Sequence, residues 1–232
     1  MERPERSFHD AIEQTQVLRP PQQALATFGT TVIQYYLLTE PVYTEMARGV
    51  DDTVLRRGTV TSERPRVVTP TYLVNLQGFS EEARRYFSEL QSQSSSAPGL
   101  LYTYRNEPTE LTILSGALLT IAHSISAELD RKGEHLAAVI KGVDQLWDVS
   151  LLKFIYDWTS ASLAQNVTDL AGRGLLNVDR AGVPREARAR LEAIFEAVRD
   201  GRLDPGVLKQ ELDAWGLFPE YEDRFFSLFR RR

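Results

Sequence analysis

The hydrophobic pattern of this 232-residue chain changes character once, near Gly116, and that change constrains the fold more than any other feature. Ahead of it, apolar residues come in short β-branched and aromatic runs. Thr30 to Thr39 (TTVIQYYLLT) has the composition of a strand, nearly apolar on both faces. Thr53 to Ser62 alternates more loosely and predicts a second strand. Pro65 steers Arg64 away from helical backbone angles, so Arg66 to Val68 reads as a short edge strand. Leu100 to Arg105 and Thr109 to Leu114 suggest two more, joined by a turn at Asn106-Glu107-Pro108. Thr71 to Leu76 fits strand or helix equally. Two helices are expected in this half. One is capped by Ser7 and runs to about Leu18, where Pro20 and Pro21 stop it; the other begins at Ser80-Glu81-Glu82 and reaches about Leu90.

Beyond Gly116 the apolar residues recur at helical spacing. Ala117 to Arg131 predicts a helix, and Leu136, Val139, Ile140, Val143 and Leu146 suggest the next. Leu151, Phe154, Ile155 and Trp158 form a further stripe. Leu163, Val167 and Leu170 then read as a separate helix ending at Gly172 or Gly174. Pro184, Gly201, Asp204-Pro205, Gly216 and Pro219 punctuate three more. The expected class is α+β and helix-rich, with a small antiparallel sheet in the N-terminal half and an all-helical C-terminal half. Residues 1–115 form the α+β region, with the linker-like SQSSSAPG at 92–99, and residues 116–232 form the helical region.

Composition narrows the chemistry. The absence of cysteine removes disulfides, thiolate nucleophiles and cysteine-held metals. The charged start (MERPER) has no apolar core of a secretory leader, and Leu111 to Ile125 is too short and too polar to span a bilayer. A soluble, cytoplasmic protein without membrane contact is therefore expected. Without export, the glycosylation pattern at Asn166-Val167-Thr168 carries no weight. A net charge of −5 argues against coating nucleic acid by bulk charge. Lysine occurs only at positions 132, 141, 153 and 209, so arginine dominance reflects a compositional bias as much as any binding role.

Four features are candidates for function. Arg56, Arg57, Arg64 and Arg66 cluster around two predicted strands, and such a basic pair could meet a phosphate backbone or an acidic partner; equally, charges blunt a sheet edge. Trp215, Phe218, Phe225 and Phe229 belong to an aromatic C-terminus, rimmed by Arg230 to Arg232, that packs on its own domain or forms a subunit interface. Residues 148–183 have a winged-helix flavour: a helix over Ser160 to Ala171, then a strand leading into the turn Asp179-Arg180-Ala181-Gly182, although Pro184 leaves little room for a return strand. Asp144 and Asp148, four apart, would share a helix face and hold a divalent metal if His123 or His135 came near.

No phosphate loop, nucleophile elbow or H-E-x-x-H pattern is present. The expected function is a non-catalytic cytoplasmic binding or regulatory protein, acting through protein surfaces with itself or another protein as partner. No catalytic residue, cofactor or resident metal is assigned. A DNA-binding regulator built on residues 148–183 and a divalent-metal hydrolase are the alternatives.

Overall fold

The computed structural model describes residues 4–41, 52–69, 72 and 98–229. The helix expected from Ser80, most of the 92–99 segment and the end of the arginine-rimmed tail lie outside these residues. The elements are α1 (Pro4–Gln14), β1 (Gln16–Arg19), β2 (Thr31–Thr39), β3 (Asp52–Ser62), β4 (Arg66–Val68), β5 (Gly99–Leu101), β6 (Tyr104–Ser115), α2 (Leu118–Lys132), β7 (Ala137–Lys141), α3 (Trp147–Gly172), α4 (Arg185–Arg199), α5 (Pro205–Ala214) and α6 (Phe218–Ser227). The class is α+β, with the sheet in the N-terminal half and helices in the C-terminal half. The chain divides into two compact units. One comprises Met1–Arg64 and Tyr102–Asn166; the other comprises Pro65–Leu101 and Val167–Arg232.

In the first unit the sheet order is β1-β7-β2-β3-β6. Every pairing is antiparallel except β2 with β7, so the sheet is mixed. β2 lies inside it, and its apolar content on both faces follows from having cover on both. Ile33, Tyr35 and Leu37 pack with Leu151, Phe154, Ile155 and Trp158 of α3, while Leu38 packs with Leu118, Ala122 and Leu129 of α2.

Three local readings change. Helix α1 stops at Gln14, and from Gln16 the chain pairs with β7; Val17 and Leu18 enter different core clusters, as a period of two requires. The run around Val139 and Ile140 is a strand, not a helix. Four consecutive buried apolar residues satisfy either period, and a slot between β1 and β2 decides it. Asn106-Glu107-Pro108 makes no turn, since β6 runs straight through with a bulge: Gly58 faces Pro108, Arg57 faces Glu110, and Thr109 is the extra residue.

α3 is one helix of 26 residues, where two were expected. The hydroxyls of Thr159 and Ser162, which could have weakened its middle, donate to the Ile155 and Trp158 carbonyls. Asn166, also on α3, is fully buried. Its amide donates to the Leu25 carbonyl and the Thr27 hydroxyl, and its oxygen accepts from Tyr102, so no glycan could reach it.

The second unit packs the β4·β5 pair with α4, α5 and α6 around Val68, Leu191, Phe195, Leu208, Leu212 and Trp215. Asp204 caps α5 by accepting from Gly206 N (2.7 Å), with Pro205 in the first turn. Within this core runs a chain of charges. Glu211 accepts from Arg66 (2.7 Å), Arg190 (2.6 Å) and the Trp215 indole (3.2 Å), and Arg190 also reaches Glu186 (2.7 Å). Burial alone would raise the Glu211 carboxyl, but Arg190 and Arg66 outweigh it and hold it below the ordinary glutamate value.

Candidate functional site

The four arginines singled out by sequence do not form one patch. β3 is an interior strand, so Arg56 and Arg57 point to opposite faces of a sheet rather than fringing its edge. Arg56 is held by Asp144 (2.9 Å) and the Thr39 hydroxyl (3.0 Å), and its guanidinium lies 5.6 Å from the Trp147 ring centre. Arg57 stacks over Tyr36 at 4.9 Å and donates to Glu110 (3.1 Å). Hydrogen bonding to Tyr36 raises its pKa above the ordinary arginine value. Arg64 follows β3 as an exposed residue. Arg66 belongs to the second unit and donates to Glu211 and Tyr72.

Asp144 sits in a short 3-10 turn (Asp144–Leu146) ahead of α3, whereas Asp148 opens α3 and accepts from Val149 N. Asp144 is engaged by Arg56 and Thr39, and His135 contacts Gln22. Among the described residues no group of three or more histidine, aspartate or glutamate side chains could hold a metal ion.

In the winged-helix-like stretch, Ser160 to Ala171 is the second half of α3, and the expected strand reduces to one bridge between Val178 and Pro184. Asp179 closes the turn by accepting from Ala181 N and Val183 N.

Of the aromatic residues, Trp215 and Phe225 are core, and Phe218 packs against them. Phe229 is 52% exposed. Phe225 and Phe229 meet edge to face, 5.5 Å apart.

A groove of about 330 Å³ lies between α2 and one face of the sheet, lined by Gln34, Tyr36 and Arg57 with Glu128, Lys132 and Glu134. Within it Lys132 pairs with Glu128 (2.5 Å), and Arg57 pairs with Glu110 beside it.

The surface that sequence reasoning missed is β6. Among the described residues it is one of the two outer strands of the five-stranded sheet, paired only with β3. Its stretch from Arg105 to Glu110 carries the devices that keep an outer strand from pairing: Arg105, Glu107 and Glu110, Pro108, and the Thr109 bulge. Leu111 to Ser115 has none of them. Leu111 and Ile113 are 63% and 52% exposed. They stand opposite Arg56 and Val54, hence on the sheet face that α3 covers.

α3 brings further apolar surface to this rim. The Tyr104 hydroxyl of β6 hydrogen-bonds the Thr159 hydroxyl, which fixes the side of α3 that looks toward β6. Leu152 lies seven residues before Thr159 and Tyr156 three before it, so both project on that side. They are 64% and 72% exposed. The signal in the sequence was an alternating TELTILS segment after Pro108, whose outer position no local pattern reveals. No helix among the described residues is long and apolar enough to cross a membrane. No family model, no curated protein and no solved structure matches this chain, so its own geometry is what points to a function.

Proposed function

We propose that this chain is a non-catalytic cytoplasmic protein that works by binding protein surfaces, and that its contact surface is the Leu111–Ser115 end of β6 with the flanking side of α3. The observation that carries this reading is an outer strand that is blunted along one half and left apolar and uncharged along the other. An outer strand offers unpaired backbone groups to an incoming strand. Backbone pairing then supplies affinity, and the side chains on the covered face supply selectivity. Leu111, Ile113, Leu152 and Tyr156 are four large exposed side chains on one rim, the kind of grouping that marks a contact surface. The internal ion pairs of Arg56, Arg57 and Arg66 favour a protein partner over nucleic acid, because their charge is already matched by Asp144, Glu110 and Glu211.

The test uses the full chain as bait in an extract of its host, beside Leu111→Glu and Tyr156→Glu baits of unchanged circular dichroism. The wild type is expected to retain a partner, its own untagged copies included, that both variants lose. Identical captured proteins on all three baits would refute the assignment.

A further inference from the structure

Resting on the reading of β6 as a contact strand, we infer that its partner is a second copy of this chain, paired antiparallel about a two-fold axis at Thr112. Residues directly opposite in an antiparallel pair project on the same face. An axis at Thr112 therefore sets Leu111 against Ile113 of the second copy, and Ile113 against its Leu111, placing four aliphatic side chains together on the α3 face. On the other face Thr112 meets Thr112, and Glu110 meets Leu114.

Neighbouring registers lack this complementarity. An axis at Glu110 would oppose two carboxylates. An axis at Ile113 would set Leu111 against Ser115 and break the aliphatic cluster. Only the Thr112 register keeps like charges apart and closes both apolar residues at once.

The paired stretch takes in Glu110, whose carboxylate is held by Arg57 on the face away from α3, and leaves the other charged residues and the proline of this strand outside it. With the axis at Thr112, Thr109 pairs with Ser115, so the paired stretch ends at the bulge. Pro108, Glu107 and Arg105, which would block pairing, lie just outside it. The other outer strand, β1, has only four residues and ends in the buried Arg19, so it offers no comparable stretch. Leu152 and Tyr156 then flank the continuous sheet, and a two-fold contact uses the same patch on both copies.

The chain has no cysteine, which makes a single introduced thiol diagnostic. In the Thr112→Cys variant the two thiols would face each other across the axis, close enough to bridge. Mild oxidation of this full-length variant is expected to give a disulfide-linked dimer, whereas Glu107→Cys, beyond the paired stretch, stays monomeric on a denaturing gel. In light scattering the wild type is expected at twice the 26.3 kDa chain mass. Ile113→Glu should halve that mass while its melting transition stays cooperative.

A wild type that dimerises but keeps its mass in Ile113→Glu, with no cross-link at Thr112→Cys, would overturn the proposal. So would a monomeric wild type. If that monomer still captures a different host protein through Leu111, self-pairing alone fails; if it captures nothing, the contact reading fails with it.

Discussion

Replacing Glu211 with Gln should be among the most damaging polar substitutions in this protein. The carboxylate is shared by Arg66 and Arg190, whose side chains are 26% and 11% exposed, and Glu211 itself is 12% exposed. The Nε atoms of both arginines are buried without a hydrogen-bond partner, so neither cation has spare compensation at that atom. Removing one partner of a buried ion pair costs about 3–5 kcal/mol, and the partial exposure of Arg66 places the expected loss near the lower end, about 3 kcal/mol. For a chain of this size that lowers the melting temperature by about 6–12 °C.

The pH dependence gives a second readout. Burial works against the Glu211 charge, but Arg190 and Arg66 hold its folded-state pKa below the ordinary glutamate value. A depressed carboxylate stabilises the fold above the unfolded pKa of about 4.3 and loses that contribution as pH falls through the folded value. The gap between wild type and Glu211→Gln should therefore be full at neutral pH and close on acidification below about pH 4. Urea unfolding followed by tryptophan fluorescence measures both, since the Trp215 indole donates to Glu211. As a control, Glu192→Gln breaks an exposed pair with Arg224 and should cost under about 1 kcal/mol. A Glu211→Gln loss no larger than the control, or a gap that is flat with pH, would refute the reasoning.

Gly58→Ala should destabilise by about 2–3 kcal/mol in a thermal melt, because an added Cβ would fall 2.6 Å from Tyr35 Cζ and 2.7 Å from the Glu107 carbonyl; a near-neutral result would show that the bulge yields easily. Asn166→Ala removes the hydrogen bonds to Leu25 O, Thr27 and Tyr102 and should cost about 2–3 kcal/mol by urea denaturation, against less than about 1 kcal/mol if Leu25 O and Tyr102 find other partners. Phe225→Ala opens a cavity beside Phe218 and Trp215 and should cost about 3–4 kcal/mol with the molecular mass in solution unchanged; a dimer that falls to monomer would move the interface to the aromatic tail.

The class and most helices were legible because their signals are local. Asp204-Pro205 and Gly216 mark the ends of α5 in the sequence as in the structure, and of the stripe Ala187, Leu191, Ile194, Phe195 and Val198 all but the partly buried Ile194 are buried. What escaped depends on distant partners. Ala137 to Ile140 became a strand because β2 pairs with it across about a hundred residues, which no window of sequence contains. The pairing of Arg66 and Arg190 through Glu211 is equally non-local, so Arg66, which fits a charged sheet edge by its sequence, is instead half-buried against Glu211. The same limit hid the proposed contact surface. Leu111 and Ile113 alternate like any half-buried strand, and only the sheet order shows that nothing among the described residues pairs beyond them.

Amide hydrogen exchange over residues 109–115 tests the contact role of β6 most directly, since an amide that points away from β3 is protected only when another strand covers it. The wild type, concentrated or placed in host extract, should show slow exchange at the outward amides of this segment. Dilution, or the Ile113→Glu substitution, should release that protection while the β2 amides remain slow. Fast exchange at those outward amides under every condition would contradict the assignment of β6 as the binding strand.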